Sequence, residues 1–169
     1  MSHLNPLIGL VLYSVRRAAD MRGFDFRPIQ DTERCSRSDY SLHVQCSWRL
    51  EGPNGIITGR SDLWEPIDIT KDSVQDAWDY DKDGNLQDKI LDDFLGPYDP
   101  LTKSYVKLAN QLVVENVQTD DYGGAIIKLS GGYRLVVFPA GSQGEDWRMF
   151  RPGLHEPHFI ISGGSVERD

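Results

Sequence analysis

YSLHVQCSWRL, residues 40 to 50, alternates apolar and polar side chains without a break. Tyr40, Leu42, Val44, Cys46, Trp48 and Leu50 fall on one side of an extended chain, and Ser41, His43, Gln45, Ser47 and Arg49 on the other. A period of two is the mark of a half-buried strand, and the aromatic and branched residues in the run favour the same reading. The stretch is therefore read as one long strand with a dry face and a wet face. His43 and Arg49 share the wet side, where they are candidates to line a ligand groove.

The pattern extends in both directions. FDFRPI before it alternates too, and the turn GPNG after it leads to GIITG and DLWEP, read as one strand interrupted near Gly59. The last third reads as a meander: QLVVENV, the turn DDYGG, AIIKLS, YRLVVFP, WRMF and HFIISG. Short strands joined by tight turns imply antiparallel pairing. The β block thus covers 24–66 and the meander 112–163, with a helical acidic insert at 67–98, in one domain of 1–169.

Two helices are expected beside the strands. Asn5-Pro6 has the form of a helix start, and Leu7, Val11, Val15 and Ala18 continue a helical stripe to about Met21. The second helix runs from Leu86 to Leu95, with Leu86, Ile90 and Phe94 on its apolar stripe, Asn85 as cap and Gly96-Pro97 as stop. A short helix is also expected around 72–78. The fold class is α+β, mainly antiparallel β as a sheet, sandwich or half-barrel, with an N-terminal helix and the helix near 86–95 packed on one side.

An internal echo runs through the strands. Tyr40-x-Leu42-x-Val44, Trp48-Arg49-Leu50 and Ile56-Ile57-Thr58-Gly59 are matched by Tyr133-x-Leu135-x-Val137, Trp147-Arg148-Met149 and Ile160-Ile161-Ser162-Gly163. Duplication would produce this, but chance recurrence of strand composition is the simpler account.

Composition narrows the function. With 39% hydrophobic and 26% charged residues the chain has the makings of a soluble core. Its 26 acids against 18 bases leave a net charge of −8, which repels phosphates and anionic lipid, so neither nucleic acid nor membrane is an expected partner. Cys35 and Cys46 lack a C-x-x-C spacing, which fits a reducing cytoplasm. The apolar PLIGLVLYSV has no basic residue before it and is too short to span a bilayer, so it is read as a buried helix.

Chemistry is sparse. DYDKDGNLQDKI, 79–90, places Asp79, Asp81, Asp83 and Gly84 as a calcium loop does, but the twelfth position is Ile90 where a bidentate acid is required. The residues read better as a turn and helix cap, and no metal or cofactor is assigned. The segment 76–93 still carries seven Asp against Lys82 and Lys89. Asp92 and Asp93 near the end of a helix oppose its dipole, so helix stability does not explain them. Asp76, Asp88, Asp92 and Asp93, with Trp64 or Trp78 as aromatic anchor, form the expected partner-binding surface for a basic protein. His155 and His158 lack the spacing of a zinc helix, and Asp62 and Glu65 around Trp64 come without a nucleophile, so no catalytic residue is named.

Two motifs, RRAADMRGFDF and LHVQCSWRLEGP, resemble those of an uncharacterised family of bacterial cytoplasmic proteins. That resemblance implies no activity. In style the small acidic chain also resembles bacterial immunity proteins, which implies a non-enzymatic binding protein. The alternative expectation is a small-ligand or calcium-binding domain.

Overall fold

The computed structural model describes residues 3–29, 38–67, 84–101, 104–105, 107 and 111–167. The expected short helix at 72–78, the Asp79 to Asp83 ladder, Asp76, Trp78 and Cys35 lie outside them.

The mainly antiparallel β expectation holds, and the N-terminal helix does not. After a single 3-10 turn, Asn5–Leu7, the chain becomes strand β1, Val11–Ala18, and returns as β2, Met21–Arg27. Gly9, at φ +86, ends the helical geometry directly after the proline turn. Beyond it Val11, Leu12, Tyr13 and Val15 are all buried, so the run has no wet face to show a period. A short apolar run buried on both sides cannot be told from a buried helix by periodicity, and its branched residues favour the strand.

The run at 40–50 also divides. Tyr40–Val44 is β3 and Ser47–Gly52 is β4, and they lie in different sheets. The alternation survives the corner because Leu42, Val44, Trp48 and Leu50 all face the one core between the sheets. At the corner itself the amides of Gln45 and Cys46 both donate to the carbonyl of Asp146, at 2.8 and 3.0 Å. Cys46 is half-buried there, and burial pushes its thiol up to about 12, which makes it a poor nucleophile.

The remaining strands are β5 (Gly55–Gly59), the two-residue ribbon β6 (Tyr98–Asp99) and β7 (Ser104–Tyr105), β8 (Val114–Thr119), β9 (Ala125–Leu129), β10 (Tyr133–Phe138), β11 (Glu145–Phe150), β12 (Phe159–Ser162) and β13 (Ser165–Glu167). The first sheet has the order β1-β2-β3-β11-β12-β13, the second β5-β4-β10-β9-β8. DLWEP is no continuation of β5: Arg60–Trp64 is a 3-10 turn, with Asp62 accepting from the Thr58 hydroxyl at 2.7 Å and the Gly59 amide at 3.2 Å.

Exchanging β1–β5 with β8–β12 maps each main pairing of one sheet onto a pairing of the other. The registers correspond residue by residue. Val15 opposite Phe24 becomes Val117 opposite Ile127, and Phe24 opposite Leu42 becomes Ile127 opposite Leu135. Val44 opposite Trp147 becomes Val137 opposite Trp48. Even the β-bulge recurs, between Leu12 and Ser14 in one half and between Val114 and Asn116 in the other. Where β1 meets β8, the Leu12 amide donates to the Leu112 carbonyl at 2.9 Å and the Val114 amide to the Leu10 carbonyl at 2.8 Å, again a matched pair. The first two limbs of the sequence echo therefore occupy equivalent places, which chance recurrence does not account for. The third does not: Leu50 faces Thr58 whereas Met149 faces Phe159, out of step with the Ile-Ile echo.

Helix α1 spans Leu86–Leu95, as its cap and stop signals require. The Asn85 side chain accepts the Asp88 amide at 2.8 Å, and Gly96 at φ +75 closes the far end. Its fully buried face is turned one residue from the expected stripe, to Gln87, Leu91 and Leu95, while Leu86, Ile90 and Phe94 are half-buried. Gln87 is drawn inward by polar partners on the β1–β2 and β5 side, described below. No described helix is long and apolar enough to cross a membrane.

Candidate functional site

The expected acidic surface is only partly a surface. Asp88 accepts from Arg17 at 2.9 Å and from Arg22 at 2.7 Å, and also from the Asn85 amide group at 2.9 Å. Arg22 is itself buried and additionally donates to the Gln87 side chain, whose amide reaches the Gly59 carbonyl at 2.7 Å. Burial pushes the Asp88 carboxyl up, but the hydrogen bonds from Arg22 and Asn85 and the charges of Arg22 and Arg17 outweigh it, leaving it below its usual range. Asp88 thus clamps the first turn of α1 to the β1–β2 hairpin.

Asp92 and Asp93 are exposed. Asp93 pairs with Lys89 one turn earlier at 2.8 Å. Partial burial, then the charges of Asp88 and Asp93, push the Asp92 carboxyl up, so the end of α1 concentrates negative charge at a place the dipole disfavours. Trp64 is half-buried on the Arg60–Trp64 turn.

His43 and Arg49 are not brought together, because the corner after β3 sends them to the outer faces of different sheets. Arg49 pairs with Glu51 at 2.6 Å and lies over the Phe138 ring. The arginine opposite His43 is Arg148, which holds the place equivalent to Arg49 in the other half. The His43 and Phe150 rings meet edge to face, Phe150 also stacks with the His158 ring, and Arg148 lies 3.3 Å from His158 Nδ1 while bound to Glu145. Burial holds the His43 imidazole below its ordinary value, so it is neutral at pH 7. Gly23 lies beneath that ring, where a Cβ would sit 3.4 Å from it. In the neighbouring row Asp25 accepts from Arg16 at 2.6 and 2.9 Å and from the Ser41 hydroxyl at 2.5 Å. Ser41 is oriented by Asp25 and by Ser38, not by His43. Among the described residues no three His, Cys, Asp or Glu side chains gather as metal ligands.

A cavity of about 330 Å³ lies where the β8–β9 turn, β11, β12 and the start of β13 converge. This is within the usual size range of ligand pockets. Trp147, Phe159 and Ile161 give it an apolar wall, and Asp120 and Asp121 stand exposed beside it. The Trp147 indole N–H donates to the Gly123 carbonyl at 2.7 Å, which fixes the ring. His3 stacks on Phe159 with ring centres 4.0 Å apart. One Asp120 oxygen holds the amides of Tyr122 and Gly124 at 2.8 and 2.7 Å, so this acid builds the turn as well as charging it. The sequence offered DDYGG only as a turn. Nothing in it brought Trp147 and Phe159 to the same place, because that depends on the crossing between sheets.

Comparison with protein-family models, curated proteins and solved structures finds no match.

Proposed function

We propose that this chain is a non-enzymatic, immunity-like binding protein that takes a basic protein partner through exposed acids. The observation that carries this reading is the crowding at the end of α1: Asp92 and Asp93 are exposed where the helix dipole disfavours them, and partial burial with the charges of Asp88 and Asp93 pushes the Asp92 carboxyl up. Asp120 and Asp121 add a second exposed acidic pair on the β8–β9 turn. Asp88 is left out of the surface because it serves Arg17 and Arg22.

The expected result is salt-sensitive capture of a basic bacterial protein by the native chain, reduced when Asp92, Asp93 and Asp121 are all changed to Asn. Capture that survives both this triple change and molar salt contradicts the proposal. A second reading, a small-ligand domain, is favoured by the cavity beside Trp147 and Phe159.

A further inference from the structure

The cavity has a counterpart in the other half of the molecule. Under the exchange of β1–β5 with β8–β12, the β8–β9 turn corresponds to the β1–β2 turn, Trp147 to Trp48, and the segment after β12 to the Arg60–Trp64 turn after β5. That counterpart is filled by the chain itself. The first turn of α1 sits there: Asp88 on Arg17 and Arg22, Gln87 on the Gly59 carbonyl, and the Leu86 amide on the Glu65 carbonyl at 2.9 Å. The molecule therefore already shows what such a groove accepts, which is the start of a helix with a charged side chain directed at the hairpin ends.

The two arginines of the filled groove have no counterpart in the second half. Arg17 pairs across its hairpin with Arg22, and the equivalent pair is Thr119 and Ala125. The turn beside that pair carries Asp120 and Asp121. An occupant with an acid at the place of Asp88 would meet two carboxylates there, whereas a lysine or arginine would be attracted.

We propose that the cavity is the seat of the partner, and that it receives a helical segment of a basic protein, apolar side chain against Phe159 and Val166 beside the His3 ring and cation toward Asp121, in the manner in which α1 fills the equivalent groove. The proposal rests on the reading of a basic partner and assigns the place and form of the contact. The aromatic wall supplies the desolvated anchor and the acidic turn the selection by charge.

The test is a fluorescence-anisotropy titration with an amphipathic lysine–leucine helix peptide as probe, alongside its glutamate–leucine counterpart and a proline-broken lysine–leucine peptide. Asp121 is exposed and Val166 is half exposed, so Asp121→Lys and Val166→Arg change the mouth of the cavity without entering the core. Each is expected to weaken the basic helical peptide by about tenfold or more, roughly the loss of one good charged contact. The acidic and broken peptides are expected to bind weakly. Equal binding of all three peptides, no binding by any, or indifference to both cavity variants overturns the assignment. If capture of a basic protein is lost with Asp92→Asn and Asp93→Asn but kept with both cavity variants, the basic partner stands and its seat in the cavity falls.

Discussion

Asp88 shows how far a residue's meaning depends on where the chain folds back. In the sequence it is one of seven acids in a short segment, and its role as the third helical residue answering Asn85 is legible from the cap motif. Its pairing with Arg17 and Arg22 is not, because those arginines sit in a stretch that reads as helix until the hairpin is seen. The side chain is a third exposed, which discounts the ion pairs, but Arg22 is nearly sealed. Asp88→Ala leaves that guanidinium without its counter-ion and is expected to cost about 2 kcal/mol in denaturant unfolding. The pH dependence has a definite sign. Because the folded carboxyl lies below its unfolded value, its contribution is present above the ordinary carboxylate range of about 4 and fades as pH falls through the folded value. The stability gap between the native chain and Asp88→Asn should therefore be constant from neutral pH to about 4 and close below it. A gap that widened on acidification would contradict the assignment.

At the scale of elements, legibility followed exposure. Helix α1 is bounded in the sequence by a cap and a glycine stop, and both do their expected work. Strands β9, β10 and β11 were legible as short apolar runs between turn signals. β1 was not, because its first five residues are all buried and the period vanishes. The corner at Gln45 and Cys46 was invisible for the opposite reason: the alternation continues through it in phase, since both strands turn the same side to the shared core. Asn85 is buried beneath the start of α1 and both accepts from and donates to Asp88. Asn85→Ala is expected to lower stability by about 1 kcal/mol. Thermal unfolding followed by circular dichroism measures it, and an unchanged midpoint would show that the cap is dispensable once Arg17 and Arg22 hold Asp88.

At the scale of the molecule, two halves share one pairing plan and differ in what fills the matching groove. The sequence carries a trace of this plan in the Tyr-x-Leu-x-Val and Trp-Arg runs, and it misleads at the Ile-Ile run, where hairpins of different length shift the register. The plan could not be read from residues because it is written in which strands cross between sheets. One groove is closed by α1 through Asp88, Gln87 and two arginines, and the other remains a cavity with an aromatic wall and an acidic turn.

The most direct measurement is a residue-resolved amide and indole chemical-shift map of the protein titrated with the amphipathic lysine–leucine peptide. The account predicts that the shifts cluster at the Trp147 indole N–H, Gly123 and Gly164, while Asn85 and Asp88 in the equivalent, filled groove stay fixed. Shifts confined to Asp92 and Asp93, or spread evenly over the acidic surface, would contradict it.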